Sequence, residues 1–183
     1  MMNKKLLSGL MSVVMLAGLC SSIGVQAAKQ LTPEEVASAS EDLSRAETRI
    51  GSKHYEAFIV CCRAFETKME LEKSSASKSE IKEKIREICN RMREKKEFIE
   101  RTYDELYSSS KRIVKIPSTI KELMVRYENG ESADIMVPLL RAAVMNCDLS
   151  IGSEKRFIIS NVVSAFINKI DTKRMFEDLQ AQC

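Results

Sequence analysis

The chain has little of what most functional sites are built from. Its 183 residues include no Trp, one His, three Pro and six Gly. So few Gly and Pro argue against an all-β sandwich or barrel, which needs a turn every few residues. A single His leaves no His-rich metal site, and the sequence contains no phosphate-binding loop or dinucleotide-binding motif.

Cysteine motifs are lacking as well. The sequence has six Cys but no Cys-x-x-Cys pair, the spacing typical of zinc sites, thiol oxidoreductases and covalently attached haem. His54 therefore has no obvious co-ligands, and the sequence predicts neither a metal nor a cofactor. No nucleophile–base pair stands out either, so no catalytic residue is predicted.

The first 27 residues have the three parts of a secretory signal peptide. Lys4 and Lys5 form a short basic start, Leu6 to Leu19 is a predominantly apolar run, and small residues precede a cleavage site after Ala27. The apolar run is shorter than the roughly 20 residues that span a bilayer, so no integral span is expected after processing. Cys20 leaves open a lipidated alternative, although Leu19 is bulkier than a lipobox favours.

Export would change the charge and the chemistry of the chain. Losing Lys4 and Lys5 lowers the formal net charge from +3 to +1, which removes any overall argument for nucleic-acid binding. The short Lys-led signal is typical of bacteria. We therefore expect a periplasmic or secreted protein, in a compartment where disulfides persist.

The apolar residues of the mature chain recur at helical spacing, which predicts an all-α fold. Region 28–110 is expected to hold an N-terminal helix that begins at Thr32, a break near Gly51, and an antiparallel hairpin that turns near Ala76. The first arm of the hairpin is expected to bury a stripe spaced by three and four residues. Its members are Tyr55, Phe58, Cys62, Phe65 and Met69.

Region 111–183 is expected to form a smaller cluster of three or four short helices, packed on the first region as one domain. Ser118, Asp134 and Ser153 are predicted helix starts, and Asp171 or Thr172 is the predicted start of the last helix.

The hairpin register predicts one disulfide. With a turn near Ala76, Cys62 on the apolar stripe lies level with Cys89, and a bridge between them is expected. Cys147 and Cys183 are the favoured second pair, although the spacing leaves other pairings open. Cys61 would then be a free thiol, or available to join two chains.

One short segment has charge of a single sign. Lys111, Arg112, Lys115 and Lys121 occur without an intervening acid. The segment is either a solvated connector or a contact to an anionic envelope surface.

An export signal, a helical core and no catalytic pattern predict a protein that binds another macromolecule. An adaptor, a chaperone-like protein, an inhibitor or immunity-type protein and a secreted host-interaction factor all fit, and the protein partner is not identified by the sequence. The alternatives are a hydrolase with a cryptic carboxylate site and a helical-bundle carrier of an apolar ligand.

Overall fold

The structure, a computed structural model, describes residues 32–147 and 151–182. Within these residues the protein is all-α, as predicted, and has no strand. The predicted signal peptide and Cys20 lie outside the described residues, as does Cys183. The helices are α1 (Pro33–Lys73), α2 (Lys78–Ser110), α3 (Ser118–Glu128), α4 (Ala133–Met145) and α5 (Ser153–Gln180).

Helix α1 begins as the sequence predicts but does not break. Thr32 and Glu35 form a reciprocal capping box, which satisfies backbone donors of the first turn. The expected break near Gly51 is wrong, because α1 continues through it for 41 residues. Ile50 and Ala57 on either side are both fully buried, and their packing outweighs the roughly 1 kcal/mol that a helical glycine costs.

Helices α1 and α2 form the predicted antiparallel hairpin. Ser77 caps α2 through a second capping box with Glu80, so the turn lies next to Ala76. The residues that lie opposite each other in the two helices also agree with the predicted register, since Nζ of Lys95 lies 2.6 Å from Oε2 of Glu56. The separate N-terminal helix of the prediction is the first half of α1.

The C-terminal region contains two short helices and one long one. Helix α5 has 28 residues and packs against each of the other four helices. The last helix start predicted at Asp171 or Thr172 is therefore wrong. Instead of capping a new helix, the Thr172 hydroxyl donates to the carbonyl of Asn168 one turn earlier, at 2.8 Å.

The core has two parts, and α5 contributes to both. The larger part joins α5 to the first half of α1, the second half of α2, and α3 and α4. The smaller part lies where α1, α2 and α5 meet near the hairpin turn. Its buried members are Ala57, Cys61, Ala64, Ile85, Cys89, Met92, Phe176 and Leu179.

Candidate functional site

The predicted apolar stripe of α1 faces solvent. Relative exposure is 65% for Tyr55, 49% for Phe58, 56% for Phe65 and 55% for Met69, and Cys62 is half-buried. The expectation that this stripe packs in the core is therefore wrong. We refer to Tyr55, Phe58, Cys62, Phe65 and Met69 as the α1 stripe.

Small side chains explain why the other face of α1 is buried instead. Ala57, Cys61 and Ala64 lie inward against residues of α2 and α5. Their size lets the three helix backbones approach closely, and bulky aromatic residues would not fit in the same space. From the sequence, the face with the larger apolar side chains is expected to be buried. In the structure, the space between the helices admits only the face with the smaller ones.

The rotation of α1 also reverses the roles of its adjacent cysteines. Cys61 is buried in the smaller core with Cys89, while Cys62 belongs to the α1 stripe. The thiols of Cys61, Cys62 and Cys147 are free, so the predicted Cys62–Cys89 bridge is not formed in this structure. The register of the hairpin is as predicted, but Cys61 rather than Cys62 is buried in the cluster that holds Cys89. The second predicted pair includes Cys183, which lies outside the described residues.

Burial makes Cys61 a poor nucleophile. Its pKa is raised to about 11, chiefly by burial and further by nearby Cys62 and Asp178. Because the thiolate is the reactive form of cysteine, Cys61 has the character of a core residue. Cys62 is the more accessible of the two.

His54 lies in the middle of α1, on the side that contacts α5. Its Nδ1 atom is 2.9 Å from Oγ1 of Thr172. The Thr172 hydroxyl donates to the carbonyl of Asn168, so a neutral imidazole completes this contact by donating to Thr172 in the tautomer that carries its proton on Nδ1. Burial lowers the pKa of His54, although the charge of Asp171 and a hydrogen bond to the backbone of Asn168 oppose this effect.

A second set of polar contacts joins α3 to α5. The Tyr127 hydroxyl donates to Asp171, and Arg174 donates to the backbone carbonyls of Tyr127 and Glu131. These contacts join residues more than forty positions apart, and no local pattern in the sequence marks them. Their role is structural, since they complete the carboxyl end of α3.

A groove of about 390 Å³ lies between α4 and α5. Its lining mixes apolar side chains with hydroxyl, amide and guanidinium groups. The lining residues are Arg141, Val144, Met145, Ser160, Val163, Ser164, Ile167 and Asn168. None of these lining residues is a carboxylate or a thiol, and the hydroxyl of Ser164 donates to the carboxylate of Glu47 at 2.6 Å.

The carboxylates with shifted pKa values belong to surface contacts. The pKa of Glu56 is lowered by hydrogen bonds from Lys95 and Lys53, and that of Glu131 by Arg126. The pKa of Glu80 is lowered by its capping bonds to Ser77. None of the three lines a described groove. No three His, Cys, Asp or Glu residues of the described ranges are grouped as a metal would require.

The basic segment is an anchored connector with exposed charges. Val114 and Ile116 are buried in the larger core, which holds the segment between α2 and α3. Its basic side chains are exposed: Lys111, Arg112, Lys115 and Lys121. Nζ of Lys111 lies 4.1 Å from the centre of the Tyr107 ring.

Among the described helices, none is long and apolar enough to cross a membrane. A scan against protein-family models, a search of curated proteins and a search of solved structures each found no match.

Proposed function

We propose that the protein is an exported helical protein that binds another macromolecule, and that the α1 stripe is its contact surface. The carrying observation is that four large apolar side chains, three of them aromatic, are about half exposed along one line of a helix. Aromatic residues and Met are enriched at protein–protein contacts, and contiguous exposed apolar patches mark such sites.

The shape of the surface favours a helix as the binding element of the partner. Steps of three and four residues average 3.5, the repeat at which two helices stay in contact along their length. The stripe runs from Tyr55 to Met69, which corresponds to about 21 Å of helix. A partner helix of three to four turns would cover it.

The alternatives have less support from the described residues. A carrier of an apolar ligand needs an enclosed apolar cavity, whereas the groove between α4 and α5 is lined in part by Arg141, Ser160 and Asn168. A carboxylate hydrolase needs an acid with a raised pKa in a cleft. The carboxylates with resolved shifts are instead lowered and lie at surface contacts.

The basic connector supports a second candidate, contact with an anionic envelope surface. Lys111, Arg112 and Lys115 project from a backbone held by buried Val114 and Ile116. A group of exposed cations on a fixed backbone binds a charged surface more tightly than the same cations on a mobile backbone, because less conformational freedom is lost on contact.

Capture of partners tests the main proposal. The mature chain, immobilised, is exposed to an extract of the compartment to which it is exported. The matched variants are Phe58→Glu with Phe65→Glu in the stripe and Phe157→Glu elsewhere, because Phe157 is as exposed as Phe58, at 49%. A partner retained by the wild type and by Phe157→Glu, and lost by the stripe variant, supports the proposal. Equal retention by all three contradicts it.

Export itself is tested by the amino terminus of the mature protein. We propose cleavage after Ala27, so that sequencing of material from the periplasm or medium begins at Ala28. A lipid-bearing start at Cys20 would contradict release as a soluble protein.

A further inference from the structure

We propose that the α1 stripe binds the same stripe of a second copy, forming an antiparallel two-fold dimer centred on Cys62. The inference rests on the proposed function, because it names the partner of that surface. The large apolar side chains of the α1 stripe are exposed because no other helix of the described residues covers them.

The order of side chains along the stripe is close to two-fold symmetric. Tyr55 lies seven residues before Cys62 and Met69 lies seven residues after it. A two-fold axis at Cys62 therefore brings Tyr55 of one chain to Met69 of the other, a sulfur–aromatic contact that is favourable. Phe58 and Phe65 likewise meet across the axis. A two-fold interface requires this self-complementarity, because each patch must contact its own copy.

The length of the stripe selects the antiparallel orientation. On the amino-terminal side of Tyr55 the same helical line has no large apolar side chain: Gly51 comes first and is followed, toward the start of the helix, by the polar residues Thr48, Ser44 and Glu41. In a parallel pair these residues would face their own copies. In an antiparallel pair centred on Cys62, residue 51 is level with the end of the partner helix at residue 73, so the polar half of the line faces no partner helix.

The exposed area matches what a stable dimer needs. An aromatic side chain covers about 150–250 Å², so four half-exposed side chains present about 400 Å² of apolar surface per chain. Two stripes together bury about 800 Å² of apolar surface, and with the polar share that is usual in specific interfaces the total would be about 1,200–1,400 Å², the lower part of the range for specific complexes.

The mass of the mature protein in solution is the first test. Sedimentation or light scattering across 1–100 μM is expected to show a dimer for the wild type, as for Phe157→Glu. Phe58→Glu combined with Phe65→Glu is expected to raise the dimer Kd about 100-fold or more, since truncating or charging a central anchor commonly costs at least tenfold each. Circular dichroism checks that the variant is folded, which is expected because both residues are exposed.

Thiol oxidation tests the position of the axis. Diamide takes up two protons and two electrons from two thiols, so it forms a disulfide wherever two Cys62 side chains meet. We expect wild-type chains to be linked into dimers and Cys62→Ala chains to remain unlinked while still forming the non-covalent dimer. In the Cys62→Ala background, mixed Tyr55→Cys and Met69→Cys chains should link to each other rather than to themselves.

Each result separates this inference from the proposed function. A wild type that is monomeric at 100 μM, or a dimer that survives the stripe substitutions, overturns the dimer. If that monomer still loses a captured partner when Phe58 and Phe65 are replaced, the proposed function stands and only the identity of the occupant is wrong. A dimer that needs the stripe but is not linked by diamide places the axis away from Cys62 and overturns the arrangement proposed.

Discussion

The guanidinium of Arg174 lies 4.3 Å from the centre of the Tyr127 ring and donates to the backbone carbonyl of the same residue. It also donates to the carbonyl of Glu131, at 3.1 Å. The guanidinium of Arg174 on α5 thus contacts the carboxyl end of α3 in two ways, by stacking on an aromatic ring and by hydrogen bonds to backbone carbonyls. Tyr127 is fully buried, so the contact fixes α3 in the core.

Replacing Arg174 should measure this contact. We expect Arg174→Ala to lower the free energy of unfolding by about 2 kcal/mol, from charged hydrogen bonds and a cation–π contact. Arg174→Lys should lose less, because its ammonium keeps the charge over the ring but lacks the planar fork that reaches two carbonyls. Urea denaturation measures both, and equal losses for Lys and Ala would contradict the assigned geometry.

Gly51 tests the continuity of α1. A Cβ added at Gly51 would lie 3.8 Å from Nδ2 of Asn168, an ordinary contact. We expect Gly51→Ala to raise the free energy of unfolding by about 0.5–1 kcal/mol, because alanine favours the helix over the unfolded chain.

Gly130 provides the matched control for Gly51. It follows α3 with φ of +105°, a conformation that L side chains rarely adopt. We expect Gly130→Ala to be destabilising in the same denaturation experiment. If Gly51→Ala were the more destabilising of the two, a continuous α1 would be ruled out.

His54 should make stability depend on pH. Its pKa is lowered in the folded protein by burial, so below the ordinary value of about 6.5 the unfolded chain binds more protons than the folded one. Stability is therefore full above that pH and falls as the pH drops through it. Thermal unfolding between pH 7.5 and 5.5 measures the effect, and His54→Asn, which keeps a neutral donor, should reduce the dependence. An unchanged slope in the variant would assign it to other groups.

The adjacent cysteines should differ in reactivity. Burial of Cys61, with its pKa near 11, predicts alkylation at pH 8 that is on the order of tenfold slower than at half-buried Cys62, since only the thiolate reacts. Time-resolved alkylation by a maleimide, followed by mass spectrometry, measures the rates. Cys62→Ala should remove the fast phase from the peptide that carries residues 61 and 62, and a fast phase that persists in that peptide would mean that Cys61 is accessible.

The connector predicts salt-sensitive binding to anionic vesicles. We expect Lys111→Gln, Arg112→Gln and Lys115→Gln together to weaken binding to phosphatidylglycerol vesicles about 100-fold at low salt, at about 1 kcal/mol for each cation. The difference should shrink at physiological salt, where charges are screened within about 8 Å.

A control variant with the same loss of charge removes three basic residues of α2 instead. Lys82→Gln, Lys84→Gln and Arg86→Gln change exposed side chains that alternate with Glu83 and Glu87. We expect little effect on vesicle binding from this set. Equal losses from both sets would mean that net charge, and not the connector, determines the binding.

The local features of this protein could be predicted from its sequence. Thr32 and Glu35 mark the start of α1 because their side chains satisfy backbone groups only three residues away. The turn near Ala76 sets the level of α1 against α2, so the opposition of residues near 62 to residues near 89 was correct. These features depend on residues that are close together in the chain, so the sequence alone is sufficient to predict them.

Only the tertiary structure decided which face of α1 is buried. The sequence offers two apolar lines on one helix, one with Tyr55 and Phe58 and one with Ala57 and Ala64, and transfer of the larger side chains from water favours the first. Close packing of α1 against both α2 and α5 admits only the small side chains, so the second line is inside. This choice exposes the aromatic residues, exchanges the roles of Cys61 and Cys62, and creates the proposed contact surface. It depends on the space left by distant segments, which no spacing along a single helix specifies.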